Sequence, residues 1–171
     1  MIIGGGPGGL YFANLMKLGN PDHDITVYEQ NRAEDTFGFG VVFSDETLGN
    51  FTRQDPETYK AITEAFAYWD EIEVRYRGAR IRSGGHGFCG MGRIKLLNIL
   101  QTRAEQLGVK MKFQDRVENL SAFADADLIV AADGLNSVVR ETYKDHFKPT
   151  IDYRKTKFVW LGTTQPFDAF T

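Results

Sequence analysis

Residues 4–9 read Gly4-Gly5-Gly6-Pro7-Gly8-Gly9, five glycines and a proline between a short apolar run and a longer one. Gly4, Gly6 and Gly9 occupy the fixed positions of a G-x-G-x-x-G turn. In that turn the first glycine lets a strand bend sharply into a helix and the second lets a pyrophosphate approach the backbone. The third lets helix and strand pack closely. Bare N–H groups and the positive end of the helix dipole then face the phosphates. Glu29 ends the run "ITVYE", twenty residues beyond Gly9. Its carboxylate can accept two hydrogen bonds from an adenosine ribose. An acid at this place disfavours a 2′-phosphate, so FAD or NAD is expected rather than NADP. The competing reading of Glu29 is a solvated strand end.

Few other residues offer chemistry by spacing alone. Asp133 closes the apolar run "DLIVAADG", at the strand end where open α/β sheets bind ligands; it could equally cap a short helix over 137–142. His23, His86 and His146 are scattered without metal-ligand spacing. His86 lies in the glycine-rich "SGGHGFCG", and its alternatives are a structural or solvated histidine. Cys89 reads as a small core residue. No catalytic residue and no metal ligand is assigned.

These residues need a fold to position them, and the bulk properties bound it. The chain has 171 residues, enough for a sizeable core, and a formal net charge of −3 gives no electrostatic case for nucleic acid or an anionic membrane. No stretch of 18 apolar residues is present, and the N-terminal segment lacks a basic signal-peptide region. A single cysteine excludes an internal disulfide and fits a reducing compartment, so a cytoplasmic location is expected. The pattern alternates: strand 1–4, helix 8–18, strand 25–29, a loop over 36–50 containing a short strand at Val41–Phe43, and a helix at 56–69. A hairpin follows about Gly78 within 71–85. A helix over 93–108 turns Ile94, Leu97, Leu100 and Leu107 inward. Strands are expected at 109–113 and 127–134, the latter buried on both faces, and at "KFVWLGTT". The fold class is therefore α/β, a Rossmann-like domain with a parallel sheet over 1–150, with the first strands of another sheet at 151–171.

The motifs "GGGPGGL" with "YEQNR", "GRIKLLNIL" and "ADLIVAADGLNSVVR" together resemble the flavin-dependent aromatic hydroxylases of the p-hydroxybenzoate hydroxylase type. "GVVFSDETLGN", "IRSGGHGFCGMGR" and "FVWLGTTQPFDAF" resemble a narrower group acting on salicylyl-CoA and 2-aminobenzoyl-CoA, with a violacein-pathway hydroxylase as a cousin. The resemblance implies that Gly4, Gly5, Gly6, Pro7, Gly8 and Gly9 hold the FAD pyrophosphate, with Glu29 and the adjacent Gln30 at the adenosine ribose. Arg93 would reach FAD from the start of its helix, the alternative being a surface cation. Asp133 and Gly134 would lie near the flavin pyrophosphate, in a motif continued by Ser137 and Arg140.

The implied activity is hydroxylation of a small aromatic substrate with FAD as cofactor, NADPH or NADH as co-substrate, and O₂. The arginine that relatives carry after the second strand is replaced by "FGFGVVF", which leaves backbone groups or Phe39 for any flavin contact there. The three-residue first strand suggests a start upstream of Met1. The family's second flavin motif is expected beyond Thr171, so the chain reads as the FAD-binding portion of an enzyme at least about twice as long. Two alternatives stay open: an NAD-linked dehydrogenase or flavin reductase on the same fold, and a nucleotide-binding module without turnover.

Overall fold

Short β-rich runs and capped apolar segments alternate along the chain in the computed structural model, which describes residues 1–159 and 161–171. The first elements are β1 (Ile2–Ile3), α1 (Pro7–Gly19), β2 (Thr26–Glu29), β3 (Gly40–Ser44), α2 (Asp45–Gln54) and α3 (Pro56–Thr63). Then come β4 (Ala67–Trp69), β5 (Ile72–Tyr76), β6 (Ala79–Ser83), β7 (Phe88–Gly92) and α4 (Arg93–Gln106). The last are β8 (Lys110–Phe113), β9 (Val130–Ala131), α5 (Val138–Thr142) and α6 (Lys144–Phe147). They form two compact units, Met1–Asp35 with Leu100–Phe158, and Thr36–Ile99 with Val159–Thr171.

The first unit is built on a parallel sheet in the order β8-β2-β1-β9. Ile2 and Ile3 pair with Val27 and Tyr28 on one side and with Val130 and Ala131 on the other. Parallel neighbours require a crossover, and α1 supplies the one between β1 and β2. Leu10 and Ala13 of α1 are fully buried with Ile2, Val27, Leu100 and Ala104. Asn14 joins them, its Nδ2 donating to the Leu100 carbonyl at 3.2 Å. Ile3, Val117, Leu120 and Val139 make a separate apolar cluster.

The second unit holds an antiparallel sheet, β3-β7-β4, and a separate β5-β6 hairpin. Leu48, Phe51, Ile62, Cys89 and Met91 are among its buried apolar side chains.

Several expectations need correction. Residues 45–50 are not loop: Ser44 Oγ accepts from Thr47 N at 3.4 Å and starts α2, with Asp45 and Glu46 favourably placed in its first turn. The helix expected over 56–69 stops at Thr63, because Ala67–Trp69 pairs with Phe88–Gly90 as strand β4. Ile94 is 48% exposed, and Leu96 takes an inward place beside Leu97 and Leu100. Only Val130–Ala131 of the 127–134 run is strand, and it is not buried on both faces, since Val130 is half-buried and Ala131 exposed. The cause is topological: β9 lies at the margin of the sheet. Among the described residues of "KFVWLGTT" there is no strand, and Trp160 lies outside the described residues. The hairpin does form, with Val74 opposite Ile81 and Arg75 opposite Arg80.

Candidate functional site

The glycine turn follows β1 directly. Gly4 N donates to Tyr28 O at 2.8 Å and Ala132 N donates to Ile3 O at 2.7 Å, so the turn leaves the sheet held on both flanks. Gly4 has φ +104°, and a Cβ there would lie 2.2 Å from Ala132 O. A Cβ on Gly9 would lie 2.1 Å from Gly4 O. These two glycines are demanded by the protein itself, one by backbone conformation and approach to β9, the other by close packing of α1 on the turn.

Gly6 and Gly8 differ from them. Apart from chain neighbours and the backbone of α1 itself, neither would bring a Cβ within 4 Å of another heavy atom. Gly6 has φ −71° and ψ 174°, open to any residue, and it caps α1 without a side-chain hydrogen bond. Pro7 fills the first helical position, and no acidic residue stands in the first turn. The surface over the helix start is thus bare backbone at the positive end of the dipole, with space above it.

Glu29, at the end of β2, points onto this turn. Its Oε2 accepts from Gly5 N at 2.8 Å, and its Oε1 accepts from Asn31 N at 2.8 Å and Asn31 Nδ2 at 2.7 Å. Three donors therefore occupy a carboxylate with about four acceptor positions. A sugar hydroxyl can take the remaining position or replace the amide of Asn31. Asn31 was not singled out from the sequence. Gln30 is exposed beside it.

Asp133 and Gly134 follow β9. Asp133 Oδ2 accepts from Val138 N at 2.7 Å and Val139 N at 3.4 Å, so the capping role weighed above is present. Ser137 Oγ accepts from Arg140 N at 3.0 Å, and the Arg140 guanidinium donates to the Leu135 carbonyl. Asp133 also adjoins the glycine turn, since a Cβ on Gly4 would be 2.9 Å from Asp133 N. Gly8, Ala132, Asp133, Gly134, Ser137 and Arg140 are among the residues lining a cleft of about 610 Å³. Glycine turn, acid and Asp-Gly pair thus belong to one unit.

Arg93 belongs to the other unit. It opens α4, its N donates to Phe39 O at 3.0 Å, and its Nε donates to Thr36 Oγ1 at 3.0 Å. Thr36, which orients it, carried no signal in the sequence. In the same unit His86 pairs with Ser83 Oγ at 2.8 Å and is exposed. Cys89 is fully buried, and burial pushes its thiol pKa up, which leaves it a poor nucleophile. Among the described residues no three of His, Cys, Asp or Glu gather to hold a metal ion, and no helix is long and apolar enough to cross a membrane.

Comparison with known proteins agrees with the motifs. Over 169 residues the chain is 48% identical to a salicyloyl-CoA 5-hydroxylase of a Streptomyces species, covering 99% of this chain and 33% of the relative. It is 29% identical over 168 residues to a 3-hydroxy-4-methyl-anthranilyl-[aryl-carrier protein] 5-monooxygenase of Streptosporangium sibiricum, covering 98% of this chain and 47% of the relative. The chain thus spans a third to about half the length of these relatives. No family model matches. The tetrameric form of 2-methyl-3-hydroxypyridine-5-carboxylic acid oxygenase superposes with a TM-score of 0.72 at 23% identity, over 82% of this chain and 40% of that one. Pseudomonas aeruginosa PqsL in complex with 2-aminobenzoylacetate gives 0.66 at 20%, over 92% and 47%. The α/β fold with its parallel sheet is the one these oxygenases share.

Proposed function

We propose that this chain is the FAD-binding portion of a flavin-dependent monooxygenase that hydroxylates an aromatic acid carried as its coenzyme A thioester, with NADPH or NADH as co-substrate. One observation carries the reading: glycine persists at Gly6 and Gly8, where the protein's own packing does not ask for it. Glycine at a second helical position costs about 1 kcal/mol relative to alanine. Keeping it there makes sense if a ligand must lie against the backbone.

FAD, when bound, supplies hydride acceptance and oxygen activation. The chain's own residues bind and orient it. The first-turn amides of α1 receive the pyrophosphate, Glu29 holds the adenosine ribose through its free acceptor position or in exchange for Asn31, and Asp133 and Gly134 border the path beyond. Arg93, held by Thr36 and Phe39 O, presents a fixed cation at the start of α4. The salicyloyl-CoA relative supports the thioester substrate, and the motifs throughout the chain support the hydroxylase reading.

The test separates fold from ligand. Asn is among the best helix-capping residues, and a Cβ at Gly6 has no atom within 4 Å beyond its chain neighbours. Gly6→Asn should therefore leave the urea midpoint unchanged or raised while weakening FAD binding, followed by flavin fluorescence, at least about tenfold. Equal FAD affinity in the variant refutes the reading, as does a parent chain that binds NAD but no flavin.

A further inference from the structure

On the β5-β6 hairpin, alternate residues share a face, and one face carries Glu73, Arg75, Arg80 and Arg82. Arg75 stands directly opposite Arg80. Like charges in that relation repel and destabilise a hairpin unless an anion lies between them. Glu73 is that anion, and its side chain is completely buried. It accepts from Arg75 Nε, from Arg80 Nη2 at 2.8 Å and from Arg82 Nε at 2.6 Å. Arg82 is further matched by Glu71 at 3.0 Å and Asp168 at 2.7 Å. Among the described residues the carboxylate that Arg75 and Arg80 share is what remains of Glu73, and the Arg75 Cζ also lies 6.0 Å from the Phe167 ring centroid. Arg75 commits its Nε, and Arg80 its Nε and Nη2. The other guanidinium N–H groups lie on side chains 44% and 60% exposed. At the tip, Arg77 is exposed, with φ +48°, its Cζ 5.2 Å from the Tyr76 ring centroid.

The hairpin therefore presents three guanidinium groups, at Arg75, Arg77 and Arg80, against a share of one carboxylate. Two of them are held in place by that carboxylate. Guanidinium forks fixed in advance, with donors to spare and surplus positive charge, are suited to phosphate, which accepts parallel hydrogen bonds in the same plane.

From this juxtaposition we infer that Arg75, Arg77 and Arg80 form a binding surface for the phosphate groups of the coenzyme A carrier, anchoring the acyl thioester by its nucleotide end. The inference rests on the thioester substrate proposed above and assigns that substrate's phosphates to named residues. Glu73 acts as a positioning residue, turning two side chains outward. The coenzyme's 3′-phosphate is the best-matched group, because it is terminal and most strongly charged.

Isothermal titration of the FAD-saturated chain with coenzyme A, 3′-dephospho-coenzyme A and pantetheine tests this. The variant Arg77→Asn/Arg80→Gln removes two of the cations; Asn tolerates positive φ, and Arg75 and Arg82 remain on Glu73. Lys60→Gln/Lys144→Gln removes the same charge elsewhere. Coenzyme A affinity should fall at least about tenfold in the hairpin variant and stay unchanged in the lysine variant. The parent should prefer coenzyme A over its dephospho form and bind pantetheine weakest, and the hairpin variant should lose that preference. Unchanged affinity in the hairpin variant overturns the inference. So does equal loss in the lysine variant, displacement of coenzyme A by excess FAD, or no binding to the parent at millimolar ligand. If the chain takes up no FAD yet shows these coenzyme A shifts, the flavin reading fails and the hairpin assignment stands.

Discussion

Gly6 and Gly9 are three residues apart and answer to different constraints, which makes their substitution an internal control. A methyl group at Gly9 would press on the Gly4 carbonyl, where neither backbone can withdraw without moving β1. Gly9→Ala should therefore cost about 1–3 kcal/mol in urea unfolding, the range for forcing atoms into packed space. Gly6→Asn should cost nothing, as argued above. Glu73 supplies a second test at this scale. Hydrogen bonds from Arg82 and Arg80 hold its carboxyl at about 2, below the usual 4.5. A depressed carboxyl stabilises the fold above its unfolded value, and that contribution disappears as the pH falls from about 4.5 through 2. Glu73→Gln should lower the urea midpoint at pH 7 and flatten the acid limb in that window. A limb of unchanged slope would mean that the ion cluster does not contribute to stability.

Asp55 shows how one residue decides an element. Buried before Pro56, it accepts from Thr58 N at 3.3 Å and Thr58 Oγ1 at 2.6 Å, closing the first turn of α3. Asp55→Ala should cost about 1–2 kcal/mol by thermal or urea unfolding, the upper part of the range for a helix cap. This start was legible in the sequence because Asp-Pro is a local signal. The end of α3 was not, because Ala67 to Trp69 are helix-compatible residues that become strand only when β7 lies alongside. Helix α2 was hidden by Gly49 and Asn50, poor helix formers that outweighed the cap at Ser44. The apolar run at 127–134 looked like a central strand, yet its position in the sheet depends on chain order that composition does not carry. By contrast β1, α1 and β2 were readable, since the glycine spacing and Glu29 specify a geometry rather than a propensity. Within the site, the Asp133 cap was foreseen, whereas Asn31 and Thr36, which hold Glu29 and Arg93, act through contacts no spacing rule describes.

For the molecule as a whole, one stretch stands out by its exposure and lack of regular structure. Residues 151–159 have no helix or strand, and Tyr153, Phe158 and Val159 are 86%, 77% and 74% exposed. Chymotrypsin should cut first after Tyr153, ahead of Tyr28 in the sheet, and mass spectrometry of early fragments would show it. A first cut at Tyr28 would mean that the parallel sheet opens more readily than its pairing suggests. The strand order β8-β2-β1-β9 has a further outcome during synthesis. Strand β1 lies inside the sheet and is synthesised before both of its neighbours there, one of which is about 130 residues away along the chain. At roughly 5–20 residues per second, Ile2 and Ile3 wait on the order of ten seconds for that flank, exposed on one side. A nascent chain in this condition is a natural client for chaperones that shield apolar segments at the tunnel exit, and slower translation would lengthen the exposure.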